Sequence, residues 1–189
     1  MILQLITRFV EMPNHRQIYD VDHIQIDETI HEASDRLNAF IRARYGFDRI
    51  NEKYIRLRSR VEAERLPSYD NTSGTEVDFS GGGSNGADNA MVMLGNQATD
   101  ARLHMMREQR AVTDLIHRAC RINGKINYRL ATALECRYAH FPPMPYEETP
   151  KEWPQYFRNR SSAQRAAIKA EAMVVQYVME QRVAAASAI

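Results

Sequence analysis

The chain has 189 residues, enough for one or two small domains with a real core, and its 25 Lys and Arg nearly cancel its 24 Asp and Glu. A net charge of +1 excludes a global positive field that would draw nucleic acid to the whole surface, so any basic footprint has to be local. Two cysteines without an export signal imply free thiols in a reducing compartment, which points to a cytoplasmic protein rather than a disulfide scaffold.

The opening MILQLITRFV is apolar but lacks a basic flank and a small-residue cleavage site, and it is too short to span a bilayer. It fits a short strand or a helix ended by Pro13. From about Asp22 the chain turns helical. Ile30, Ala33, Leu37 and Phe40 recur at steps of three and four, and Phe47, Ile50, Tyr54, Leu57 and Val61 resume the spacing beyond Gly46. The stretch is one long helix with a kink or two helices meeting at Gly46. Residues 1–66 thus form an N-terminal helical region.

Residues 67–89 break every periodicity. Gly, Ser, Asn and Asp dominate and three glycines are consecutive, so a flexible connector is expected. A phosphate-cradling loop would need a GKS or GKT sequence, and none follows.

Helix returns at Ala90. Met91, Leu94, Ala98, Ala101, Met105, Glu108, Val112, Leu115, Ala119 and Ile122 form a seam in which only Glu108 is charged, giving a long central helix over 90–125. The methionines Met91, Met93, Met105 and Met106 are expected as core filling. The partner of this seam is the first helix folded back or the same helix of a second subunit. Asn123 and Gly124 tolerate the left-handed conformation and are expected to stop the helix. Asn127 to His140 forms another helix, with Leu130, Leu134 and Tyr138 on one stripe, and FPPMPYEE follows as a loop.

Thr149 to Val183 has the pattern of a short helix, a turn and a longer helix, as in helix-turn-helix readers of DNA. Thr149 with Glu152 makes a capping box and Pro150 suits the first helical position, with Trp153 and Phe157 one turn apart as buried anchors. Pro154 conflicts with a continuous helix there, so the helix is alternatively expected to begin at Trp153. Ser161 with Gln164 makes a second capping box. Ala163, Ala167, Ala170, Val174, Tyr177 and Val178 then recur at helical spacing, so Ala167 and Val174 belong to the motif core.

That leaves Ser162, Gln164, Arg165 and Lys169 for base edges, and Lys151, Arg158, Arg160 and Ser161 for phosphates. Between Lys151 and Arg182 six basic residues face three acidic ones, which is the local excess that the neutral whole requires. The final AAASAI is expected as a frayed tail over 184–189.

Other groupings are weaker. His117 with Cys120 and Cys136 with His140 have helical spacing that two facing pairs would need to hold zinc, although ordinary helix neighbours share it. Glu147, Glu148, Asp20, Asp22 and Asp27 have no companion motif and are expected as solvated acids, as are His15, His23, His31 and His104 as surface residues. No nucleophile elbow, HExxH or dinucleotide-binding glycine pattern occurs, so an enzyme is not expected, nor any cofactor.

With these pieces in order, the chain resembles the phage late-gene transcription activators of the RinA and ArpU type. The matching residues are Gly81, Gly82, Gly83, Ser84 and Asn85 before the long helix; Leu134, Glu135, Cys136, Arg137 and Tyr138 at a helix end; Trp153; and Ser161 to Met173 as recognition helix. The resemblance covers about Pro67 to Val183, with a longer, proline-rich loop over Phe141 to Glu148. It implies an all-α chain with coiled-coil-like helices and a sigma region-4-like helix-turn-helix domain over 126–183. Double-stranded DNA and bacterial RNA polymerase are its implied partners; the seam adds a second copy of the chain as an expected partner, and the sequence offers no membrane span. Two alternatives stand beside it: a Q-type antiterminator with a similar reading end, and a helical packaging or assembly protein such as a small terminase subunit.

Overall fold

The computed structural model describes residues 23–65 and 84–188. The expectations for residues 1–22 and for most of the connector, 67–83, lie outside the described residues. What is described is predominantly helical: α1 (His23–Arg65), α2 (Ser84–Ala119), α3 (Tyr128–Leu134), α4 (Thr149–Glu152) and α5 (Arg160–Ala186). A hairpin of two-residue strands, β1 (Arg121–Ile122) and β2 (Lys125–Ile126), separates α2 from α3, and a π-helical turn (Glu135–Ala139) follows α3. No helix among the described residues is long and apolar enough to cross a membrane.

α1 is one helix that runs through Gly46 without interruption. Ion pairs one turn apart, Arg36 with Glu32, Arg44 with Asp48 and Arg56 with Glu52, line its flanks. They support a helix that carries a glycine in its middle. α2 starts at Ser84 rather than Ala90, because Ser84 to Asn89 holds only one glycine and continues the helix backwards from the seam. It also ends earlier than the seam suggests.

Asn123 and Gly124 both adopt positive φ (51° and 78°), and the residues around them pair as Arg121 with Ile126 and Ile122 with Lys125. Two successive left-handed residues close a tight hairpin whose twist matches its strands. Asn-Gly therefore makes a turn here, not a helix stop, and Ile122 leaves the seam for an exposed strand position. The hairpin is closed by Asn127 N–H donating to the Cys120 carbonyl at 2.9 Å.

The chain divides into two units. The described residues of one are 40–65 and 84–108, and those of the other are 23–39 and 109–188. In the first, the two long helices meet within one chain: Tyr54 lies against Gly95, where a Cβ would stand 3.5 Å from its ring, and Arg44 reaches the Met105 sulfur at 4.0 Å. Phe40, Val61 and Ala98 are buried, but Met93 and Met106, expected as core, are exposed.

The second unit has the denser core. α5 packs along α3, with Ala163, Ala166, Ala167, Ala170, Val174 and Val178 buried against Leu130, Ala131, Ala133 and Leu134. Alanine at these positions lets helix backbones approach closely, as the spacing predicts. Val112, Ile116, Ala119 and Cys120 from the end of α2, with Ala33 and Leu37 from α1, are buried as well. Polar clasps hold the far end of α5: the Arg182 guanidinium meets Glu32 at 2.9 Å and Glu28 at 3.4 Å, and Arg36 donates to Gln181 at 2.9 Å. α5 continues to Ala186, since alanine is the best helix former, so the first half of the expected tail, 184–186, is helical.

Candidate nucleic-acid interface

The segment from Pro145 to Lys169 keeps the order of short helix, turn and long helix, but its local chemistry differs from expectation at each end. The Thr149 hydroxyl is not a cap acceptor. It is buried and donates to the Pro145 carbonyl at 3.1 Å, while Glu148 takes the cap position without a side-chain bond. α4 is four residues long and stops at Trp153, because the residue before a proline is driven out of the helical region.

Trp153 is therefore not a buried anchor; it is 39% exposed and stacks on Tyr156 at 6.4 Å between ring centroids. Phe157, at 1% exposure, is the anchor. Two turn bonds to the Trp153 carbonyl, from the N–H groups of Tyr156 and Phe157 at 3.1 Å, carry the chain round to it.

The cap of α5 also differs. Asn159, not Ser161, starts the helix: its side-chain oxygen accepts from the Ser162 N–H at 2.9 Å, and the Ser162 hydroxyl accepts from the Asn159 N–H at 3.2 Å. This capping box moves the helix start to Arg160 and engages Ser162, whose hydroxyl also donates to the Asn159 carbonyl at 2.7 Å. Gln164 is half-buried at the flank of the helix.

Ser161, Arg165 and Lys169 follow one another at four-residue steps on the exposed face, opposite Ala163, Ala167 and Ala170. The Arg165 Nε donates to the Ser161 carbonyl at 3.2 Å, which lays its stem along the first turn. Of the phosphate candidates, Lys151 and Arg158 are exposed, and Arg160 is exposed but pairs with Glu147 at 2.9 Å. Sequence reasoning missed Arg129. It stands in the first turn of α3, behind an Asn127 cap that accepts from the Leu130 N–H at 3.3 Å, and only the packing of α3 on α5 brings it beside Arg158.

The platform beneath this face is braced by a polar cluster from the π-helical turn. The Tyr138 hydroxyl donates to Glu171 on α5 at 2.8 Å, and burial, followed by that carboxylate, pushes the phenol well above its ordinary range. The Arg137 guanidinium lies 4.7 Å from the centroid of the Tyr146 ring. These contacts, with the Met144 N–H donating to the Cys136 carbonyl at 2.8 Å, tie the proline loop to the π-helical turn and that turn to α5.

The four zinc candidates do not assemble. His117 Nε2 lies 2.6 Å from Glu135 Oε1, and the exposed His140 turns its Nδ1 to the Pro142 carbonyl at 2.8 Å. Cys120 and Cys136 are buried free thiols, and desolvation first, then the Glu135 charge, pushes both up to about 11. Among the described residues no group of three or more His, Cys, Asp or Glu is placed to hold a metal ion.

No protein-family model, curated protein or solved structure matches this chain.

Proposed function

We propose that the chain is a DNA-binding transcriptional regulator that presents the first turns of α5 to duplex DNA, in the manner that the resemblance to the RinA and ArpU activators implies. The observation that carries this reading is the α5 face itself. Arg165 and Lys169 stand exposed one turn apart, opposite an alanine face buried on α3, with Arg129, Lys151 and Arg158 exposed on the neighbouring elements. Such a helix is held rigidly by one side while its other side offers donors to base edges and phosphates. Arg165 and Lys169 take the groove, and Arg158, Arg160 and Lys151 take phosphates, with Arg160 exchanging Glu147 for a phosphate on binding. Activation and antitermination both use parts of this kind, and RNA polymerase is the second partner in either case.

Binding to mixed-sequence duplex, measured over a range of salt concentration, tests the phosphate roles. Affinity is expected to fall as salt rises, and Arg158→Ala is expected to weaken binding and to reduce the slope of log affinity against log salt by about one. An affinity for duplex that is unchanged in a combined Arg158→Ala, Arg165→Ala, Lys169→Ala chain overturns the reading.

A helical assembly protein is the second reading, and one observation favours it: Val92, Met93, Leu103 and Met106 are large apolar side chains exposed along α2. A second copy of the chain is the occupant this reading requires. The mass in solution separates the two, since a monomer or dimer fits a regulator and a ring of many copies fits assembly.

A further inference from the structure

A cleft of about 500 Å³ opens beside the start of α5, lined by Arg129, Pro154, Gln155, Tyr156, Arg158 and Ser162. Its volume falls within the range of clefts that hold small organic ligands, roughly 300–1,000 Å³. We propose that this cleft binds a nucleotide, with the phosphate held between Arg129 and Arg158 and the base laid against the Tyr156 ring. The inference goes beyond the reading of duplex DNA by α5, because it concerns a recess large enough to take in a single nucleotide.

The lining contains two cations and no carboxylate. Neither the Arg129 nor the Arg158 guanidinium has a hydrogen bond or ion pair among the described residues, whereas Arg160 nearby is matched by Glu147. Two guanidiniums that line one recess without partners can both donate to one bound anion. A phosphate fits their planar, forked donors better than a carboxylate does, because it offers three terminal oxygens.

The first turn of α5 adds little of its own. The Ser162 hydroxyl and N–H are spent in the capping box, so the charge for the anion comes from the side chains. The rest of the lining is flat or apolar: Tyr156 is half-buried and held edge-on by Phe157 at 6.2 Å, with Pro154 beside it. A planar base gains by stacking on such a ring. Gln155 is exposed and brings an amide that donates and accepts, which suits a base edge.

Trp153, the chain's one tryptophan, stacks on Tyr156 and so reports on the cleft. The experiment titrates the full chain with AMP, adenosine and inorganic phosphate, following Trp153 emission and the heat of binding. Saturable binding of AMP is expected, with adenosine and inorganic phosphate each weaker by about tenfold or more. Arg129→Ala and Arg158→Ala are each expected to weaken AMP binding about tenfold, and Arg158→Lys to restore part of it. Tyr156→Leu is expected to make AMP bind no better than inorganic phosphate.

A single-stranded oligonucleotide bearing a 5′-phosphate assigns the source: tighter binding than AMP points to the end of a strand, and weaker binding to a free nucleotide. Absence of saturation by both AMP and the oligonucleotide overturns the proposal. So does equal affinity for AMP and inorganic phosphate, or unchanged AMP binding in a chain that carries both arginine replacements. Both arginines are exposed, so loss of fold is not the expected cause of any change, and circular dichroism checks it. If AMP binding fails while duplex binding persists, the cleft is lost and the regulator stands; the reverse result removes the regulator and leaves the cleft.

Discussion

The two units bury their apolar residues to different degrees, although similar spacing generates both. In residues 109–188 and 23–39, Phe157, Ile116, Leu134, Val174 and Val178 are sealed from solvent. In residues 40–65 and 84–108, Tyr45, Ile55, Val92, Met93, Leu103 and Met106 stay exposed while only Phe40, Val61 and Ala98 are buried. The difference follows from partner number. A helix packed on a single partner covers one stripe, whereas α5 packs against both α3 and α4 and covers more of its surface. The candidate interface stands on the unit with the more completely buried core.

This comparison sets the sizes of the expected effects. Phe157→Ala is expected to cost about 3–5 kcal/mol, because it empties a sealed site under the turn before α5, whereas Leu103→Ala on the exposed unit is expected to change stability by less than about 0.5 kcal/mol. Urea unfolding of the two variants checks the contrast, and equal losses would break it.

The buried thiols sharpen it through pH. The folded state holds the protons of Cys120 and Cys136 up to about 11 where an ordinary thiol releases them near 9.0. Their contribution to stability is therefore fully present below about pH 9 and is lost as pH rises through 11. Thermal melts from pH 7 to pH 11 are expected to show that decline, and a chain with both cysteines replaced by alanine is expected to show a smaller one that sets in at higher pH, since the buried Tyr138 phenol is also pushed up from its ordinary range. Alkylation of either thiol at pH 8 is expected to track global unfolding.

Asn159→Ala is expected to cost about 1 kcal/mol and Ser161→Ala almost nothing, since the first holds the α5 cap and the second does not. One further effect, in residues 40–65, has the opposite sign. A Cβ at Gly46 meets nothing within 4 Å, so Gly46→Ala is expected to stabilise α1 by about 0.5–1 kcal/mol, read as a rise in melting temperature.

Long-range periodicity was the legible part of the sequence. Ala163, Ala167, Ala170, Val174 and Val178 predict the buried face of α5, and the helical character of the described chain follows from such stripes. Short-range choices were harder because neighbouring residues compete for the same role. Asn159 and Ser161 are both good caps, each with a polar residue three positions on, and the turn after Phe157 selects Asn159. Asn123–Gly124 serves equally as a helix stop or a hairpin turn until its flanking strands are seen to pair.

Trp153 and Phe157 looked alike as anchors. Pro154 separates them, leaving the indole partly exposed and the phenyl ring buried. Arg129 gave no signal at all, since it lies 29 residues before Arg158 and only the packing of α3 against α5 makes them neighbours.

Selection from a library of random duplex DNA, sequenced after binding to the full chain and to an Arg165→Ala, Lys169→Ala chain, tests the central claim most directly. The account predicts enrichment of one site by the unaltered chain and loss of that enrichment in the variant, with weak salt-sensitive binding retained. Enrichment of the same site by both chains, or of none by either, would contradict it.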